Sequence, residues 1–242
     1  MKKTLLALGA VLAATAVPAA AQDFSFNVGA VSDYRYRGIS QTRLKPAVQG
    51  GVDVALPAGF YVGAWASSIK WIKDFGGDSD VEIDLYGGLK GEITKGLGFD
   101  VGVLTYQYPG NKLNPKADTT ELYGALSFGP ATLKYSHAVT NTFGNPDSKN
   151  SFYVDLSATF EVFDGWMLTP HAGYQKIKGP LGDPATYGDY SLTVSKDFKG
   201  LVPSLAIVGT DADKNFYVPG PNANSTKFLG KTGVVLGVKY TF

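Results

Sequence analysis

Residues 151–162 read SFYVDLSATFEV, and this stretch decides the fold class of the chain. Every second residue is apolar, in the order Phe152, Val154, Leu156, Ala158, Phe160 and Val162. The residues between them are polar, and the one aromatic residue among them, Tyr153, carries a hydroxyl group. A period of two is typical of a β-strand with one apolar and one polar face. Residues 81–90 and 97–103 repeat the pattern, so the sequence predicts an all-β chain.

The spacing of these segments predicts a barrel. We expect twelve strands, at residues 23–37, 48–56, 59–71, 80–91, 97–108, 119–128, 130–140, 151–162, 166–176, 187–198, 201–210 and 230–242. The connections between them alternate between very short and long. Bacterial outer-membrane barrels sort their connections in this way, with short periplasmic turns and long external loops. The prediction is a twelve-stranded, antiparallel, up-and-down transmembrane β-barrel that forms a single domain over residues 22–242.

Residues 1–21 are predicted to be a cleaved signal peptide. Lys2 and Lys3 precede an apolar run at residues 5–17, and Ala19-Ala20-Ala21 supplies the small residues of a cleavage site. The apolar run is too short to span a membrane as a helix. Together with the barrel pattern, this segment predicts Sec-type export and localisation in the cell outer membrane.

Composition and motifs exclude several classes of activity. The chain has no cysteine, which excludes thiol catalysis and cysteine metal sites, and its formal net charge of +1 does not favour nucleic acid as a partner. Neither GxSxG nor HExxH occurs. His137 and its neighbour Ser136 point to opposite faces of one strand, and no Ser–His pair is found on one face. We therefore expect no enzyme activity, no metal site and no cofactor, and a barrel lipid hydrolase is the least favoured alternative.

The charged residues of the strands fall on the polar face, which lines the lumen of a barrel, except Lys196, which falls on the apolar face near a strand end, where its long side chain can reach the interface. The pore-lining candidates are Asp33, Arg35, Arg37, Asp53, Glu82, Asp84, Asp100, Glu121, Lys134, Asp155 and Asp189. A cationic wall that faces an anionic wall would give a transverse field that selects polar solutes. The same groups could instead form ion pairs that brace the wall. Acidic candidates outnumber basic ones, which favours cations.

Aromatic residues are predicted to form two belts at the membrane interfaces. The belt beside the short turns comprises Phe60, Phe99, Phe128, Phe160, Phe163, Trp166, Phe198, Tyr240 and Phe242. The belt beside the long loops comprises Trp71, Tyr106, Tyr108, Tyr174, Tyr187 and Tyr190. If strand 1 keeps its alternation through Arg37, then Tyr34 and Tyr36 face outward, while Asp33, Arg35 and Arg37 face the lumen.

Residues 31–42, VSDYRYRGISQT, and residues 46–53, PAVQGGVD, resemble the N-terminal signature of the TorF-family porins, also catalogued as the Gcw_chp group. The resemblance extends to the terminal KYTF of residues 239–242. It implies an outer-membrane barrel with a channel role, and it carries neither a substrate nor catalytic residues. The last strand, which ends on Phe242, is similar to the signal that the barrel-assembly machinery reads, so we expect that machinery as a partner.

These observations predict an outer-membrane porin or channel for the passive diffusion of small polar solutes or ions. Twelve strands leave a lumen narrower than that of the 16–18-stranded porins, which favours a small or selective channel. The expected partners are the lipid bilayer and the small solutes. The main alternative is a structural or adhesive outer-membrane barrel with an occluded lumen.

Overall fold

A computed structural model describes residues 23–242, and in them twelve strands form one closed antiparallel barrel. The strands are β1 (Asp23–Val31), β2 (Ala47–Ala55), β3 (Phe60–Ser68), β4 (Val81–Thr94), β5 (Leu97–Gln107), β6 (Thr119–Phe128), β7 (Ala131–Ala138), β8 (Phe152–Ala158, continued by Phe160–Phe163), β9 (Trp166–Lys176), β10 (Tyr187–Lys196), β11 (Leu201–Thr210) and β12 (Gly233–Thr241). Each strand pairs with the next along the chain, and β1 pairs with β12 to close the barrel.

The outward face of the barrel is apolar, and this confirms the predicted fold class. On β12, Val234 and Leu236 are 60% and 56% exposed, and the other strands present similar residues. Such a surface is unfavourable in water and matches the hydrocarbon core of a bilayer. No helix in residues 23–242 has the length and apolar character needed to cross a membrane. The predicted signal peptide lies outside the described residues.

The connections divide the barrel into two ends. The short-turn end carries residues 56–59, 95–96, 129–130, 164–165 and 197–200. The long-loop end carries loops 1 to 6, at residues 32–46, 69–80, 108–118, 139–151, 177–186 and 211–232. Large aromatic side chains such as Phe128, Phe163 and Phe242 stand exposed at the short-turn end, as the first predicted belt requires.

Strand β1 ends at Val31, so its predicted continuation to residue 37 is wrong. The N–H of Ser32 still donates to the Leu236 carbonyl at 2.8 Å, and the chain then turns into the barrel. Tyr34 and Tyr36 point inward rather than outward, because their hydroxyls find polar partners inside. Burial raises the pKa of Tyr34 well above its ordinary value, so this hydroxyl stays protonated and donates.

The aromatic belt predicted at the long-loop end is mostly wrong. Only Tyr174 and Tyr190 of that set are exposed large side chains on the outer surface. Tyr106, Tyr108 and Tyr187 are buried inside the barrel, and Trp71 of loop 2 packs on Tyr108 with ring centroids 5.2 Å apart. The physical reason is that the long loops fold inward and build an apolar cluster around residues such as Ile69 and Ile72. Tyrosine serves either location, because its ring is apolar and its hydroxyl polar.

Candidate functional site in the barrel lumen

Loop 1 forms a hairpin that lies inside the barrel, and we call residues 33–42 the inner hairpin. Its two short strands, Arg35–Tyr36 and Ile39–Ser40, pair with each other. Its tip is Arg37-Gly38, with φ angles of 45° and 79°. Two central residues with positive φ make a type I′ turn, which glycine adopts freely. Arg37 is strained there by about 1 kcal/mol or more, so its neighbours must hold it in place.

The inner hairpin crosses the bore from wall to wall. The side chain of Tyr34 packs on Trp65 with ring centroids 5.5 Å apart, on the β3 side. Gly38 lies against the opposite wall, where a Cβ atom would be 2.9 Å from the Cβ of Asp189 on β10. The wall residues that the hairpin touches lie around most of the circumference: Trp65, Glu82, Tyr106, Glu121, Tyr153, Gln175, Asp189 and Thr210. The hairpin therefore occludes the long-loop half of the lumen.

Arg37 is held by three wall residues, Glu121 of β6, Gln175 of β9 and Tyr153 of β8, which we call the Arg37 socket. Its Nη2 donates to Glu121 Oε2 at 2.7 Å, and its Nη1 donates to Gln175 Oε1. Its guanidinium carbon lies 4.3 Å from the centre of the Tyr153 ring. Burial opposes the charge, but the Glu121 carboxylate prevails and raises the pKa of Arg37 well above its ordinary value. The guanidinium is therefore a charged group inside the barrel.

Arg35 and Asp33 brace the hairpin itself. Arg35 Nε donates to Asp33 Oδ2 at 2.5 Å, and its Nη1 donates to the Leu229 carbonyl of loop 6 at 3.0 Å. Asp33 also accepts a hydrogen bond from Ser40 Oγ at 2.5 Å. These side chains lie in a loop and not on the strand where they were predicted. The sequence left two roles open for the basic residues: a charged wall that selects solutes, or ion pairs that brace the structure. The contacts of Arg35 and Arg37 agree with the second role.

The acidic candidates of the long-loop half have unequal surroundings. Glu82 is 1% exposed and accepts hydrogen bonds from the hydroxyls of Tyr34, at 2.5 Å, and Tyr108, at 2.7 Å. Asp84 follows on the same face of β4, and its buried Oδ1 has no hydrogen-bond partner. Glu121 binds Arg37 through Oε2 alone, and its Oε1 is also buried without a partner. This half of the lumen therefore holds acceptor oxygens that lack donors.

The short-turn half of the lumen is polar. It holds further predicted candidates: Asp53, which accepts from Tyr86; Asp100, which accepts from Tyr61; and Lys134, which lies over the Tyr123 ring. Asp155, which binds His171, lies beside the Arg37 socket, because His171 Nε2 is also 3.2 Å from the Tyr153 hydroxyl. The side chains of Asp155 and His171 are 21% and 18% exposed, against 6% for Arg37. Side chains in the lumen therefore differ in burial, and the pair beside the Arg37 socket is more exposed than Arg37 itself.

The strand register corrects one prediction about catalysis. Ser157 of β8 lies directly opposite His171 of β9 on the lumen side, so a Ser–His pair does share one face. Alternation within one strand does not show this pair, because Ser157 and His171 stand on neighbouring strands and meet only through their register. His171 Nε2 bonds to Asp155 at 2.7 Å instead, while the Ser157 hydroxyl has no hydrogen-bond partner. The pair therefore lacks the hydrogen bond of an activated nucleophile. In residues 23–242, no group of three or more His, Asp or Glu side chains could hold a metal ion.

The architecture defines a class: a twelve-stranded transmembrane β-barrel in residues 23–242, with a polar lumen and an inward-folded first loop. The sequence model described as "Bacterial protein of unknown function (Gcw_chp)" matches residues 15–242. The chain belongs to this family.

Solved structures of outer-membrane channels share the fold. The chain is 9% identical to a NanC porin, with a TM-score of 0.57, over 90% of this chain and 99% of that one. It is 7% identical to a KdgM porin determined in complex with disordered oligogalacturonate, with a TM-score of 0.55, over 90% and 98%. It is 13% identical to the COG4313 outer membrane channel from Pseudomonas putida F1, with a TM-score of 0.53, over 94% and 99%. At such identities the similarity establishes the fold alone. A search of curated proteins finds no significant match.

Proposed function

We propose that the protein is an outer-membrane channel of the TorF type, for the passive diffusion of small polar solutes or ions. The observation that carries this proposal is the contrast between an apolar outer face and a lumen lined by charged and hydroxyl side chains. The fold shared with known porins and channels supports it. In this proposal the signal peptide directs export, and the strand that ends on Phe242 is read by the barrel-assembly machinery.

The lumen charges favour cations over anions. Glu82, Asp84 and Glu121 lie in the long-loop half. Of these three carboxylates, Arg37 forms an ion pair with Glu121, and one oxygen each of Asp84 and Glu121 has no hydrogen-bond partner. Unpaired carboxylate oxygens attract cations and repel anions at close range. We propose that the predicted pore-lining residues act through this field once the inner hairpin is displaced.

A structural or adhesive barrel with an occluded lumen is the second candidate. The specific observation that favours it is the inner hairpin, whose contacts run around most of the bore. A barrel lipid hydrolase is not proposed, because Ser157 and His171 form no hydrogen bond.

Planar-bilayer recording distinguishes the two candidates. Two proteins are compared: the wild type and a hairpin-shortened variant, in which a Gly-Ser linker replaces residues 34–41. Both must first show the heat-dependent gel shift of a folded barrel. Conductance steps from the wild type support a channel. Steps from the variant alone favour the occluded barrel, because they show that the hairpin closes the bore, and the absence of steps from both proteins would refute the channel. A reversal potential that indicates anion selectivity would contradict the cation preference.

A further inference from the structure

We propose that the Arg37 socket is a binding site for solutes that carry a guanidinium group, and that the inner hairpin fills this site as a tethered competitor. The inference rests on the proposed function in so far as solutes enter the lumen. It names a chemical class of solute, which the channel fold alone does not.

The socket belongs to the barrel wall and not to the hairpin. Glu121, Gln175 and Tyr153 stand on three strands and are 1%, 3% and 6% exposed. Wall contacts orient two of them: Gln175 Nε2 donates to the Phe152 carbonyl at 3.0 Å, and the Tyr153 hydroxyl donates to Asp189 Oδ2 at 2.9 Å. Since these contacts do not involve the hairpin, Gln175 and Tyr153 keep their orientation when the hairpin leaves. A binding site held in this way is preorganised.

The chemistry of the socket matches a guanidinium group more closely than an ammonium group. A carboxylate oxygen and an amide oxygen accept from the two outer nitrogens of Arg37, and its guanidinium carbon lies over the aromatic ring of Tyr153. A flat group with several donors satisfies all three at once. An ammonium ion is a compact charge that cannot make the two forked hydrogen bonds and the ring contact together.

The hairpin does not use the socket fully. Glu121 Oε1 is buried and has no hydrogen-bond partner, although guanidinium groups commonly bind both oxygens of a carboxylate. Arg37 is also strained, with a φ of 45° in the tip of the turn. A free solute has no such tether, so it can add the second hydrogen bond. Arg37 nevertheless competes with a free solute for the socket, because its tether gives it an effective concentration on the order of millimolar.

The test measures the binding of methylguanidinium to the detergent-solubilised barrel by calorimetry. The proteins are the wild type, Arg37→Ala, and the double variant Arg37→Ala with Glu121→Gln, each with a heat-dependent gel shift. Arg37→Ala empties the socket, so it should bind about tenfold more tightly than the other two. Methylammonium, which has the same charge, should bind Arg37→Ala about tenfold more weakly than methylguanidinium.

Equal binding by Arg37→Ala and the double variant, or no preference over methylammonium, overturns the inference. If Arg37→Ala does not fold, the hairpin-shortened variant replaces it, since it also lacks Arg37. Its binding of methylguanidinium is then compared with that of the same variant carrying Glu121→Gln. The measurement does not depend on conductance. Conductance without selective binding refutes the socket and leaves the channel, whereas binding without conductance refutes the channel and leaves the socket.

Discussion

Substitution of Glu121 by glutamine should release the inner hairpin from the lumen. The substitution removes the charge that faces the Arg37 guanidinium, whose side chain is 6% exposed. A buried hydrogen bond between charged groups contributes about 1.5–3 kcal/mol. Because about 1.4 kcal/mol corresponds to a factor of ten, the displaced population should rise roughly 10-fold to 100-fold. Arg37 is hydrated only when the hairpin leaves the lumen. Loss of the Glu121 charge therefore raises the free energy of the inserted state and not that of the displaced state.

Trypsin reports this population, because it cleaves after Arg35 and Arg37 only when the hairpin is exposed. Both side chains are less than a tenth exposed in the inserted state. When reinsertion is faster than cleavage, the rate follows the displaced population, and mass spectrometry identifies the cut. Glu161→Gln is the matched control, since Glu161 accepts only the Gly165 N–H at the short-turn end. An unchanged rate for Glu121→Gln, or an equal rise in the control, would refute the reasoning.

Two further predictions concern the wall and the loops. Gly63→Ala should destabilise the barrel by about 1–3 kcal/mol in urea unfolding, because the new Cβ would lie 2.6 Å from the Tyr86 hydroxyl; Gly124→Ala, with its nearest contact at 3.8 Å, should be neutral. Asp78 and Asp80 each bind a loop lysine, which lowers their pKa. Their contribution to loop order is therefore present above the ordinary aspartate pKa of about 4 and lost as the pH falls below it. Amide protection factors in loops 2 and 3, which correct for the intrinsic pH dependence of exchange, should fall below that pH and stay constant from pH 5 to 7; protection factors that do not change with pH would contradict this.

The barrel wall could be predicted from the sequence because its signals are local. Alternation within residues 151–162 assigns each side chain to a face, and the length of each connection assigns each strand to an end. Both signals need only neighbouring residues. The twelve strands are therefore found within a few residues of their predicted positions, with β1 as the main exception.

The inner hairpin could not be predicted in the same way, because its sequence also alternates. Tyr34, Arg35, Tyr36 and Arg37 continue the period of β1, so the pattern extends the strand by six residues beyond Val31. One local signal points elsewhere: Arg37-Gly38 is a two-residue turn between short segments. That signal is weak, since arginine is unusual at positive φ. The partners of Arg37 are even harder to predict from the sequence, because Glu121 and Gln175 are 84 and 138 residues away along the chain.

The position of Arg37 on a loop changes what its charge can do. An arginine fixed on a strand would neutralise Glu121 at all times, and the field of the lumen would be constant. Arg37 neutralises Glu121 only while the inner hairpin is inserted. When the hairpin leaves, a positive charge departs from the lumen and the Glu121 carboxylate becomes free. In the proposed channel, opening and cation preference would therefore be coupled, because the same displacement would clear the bore and make its wall more negative.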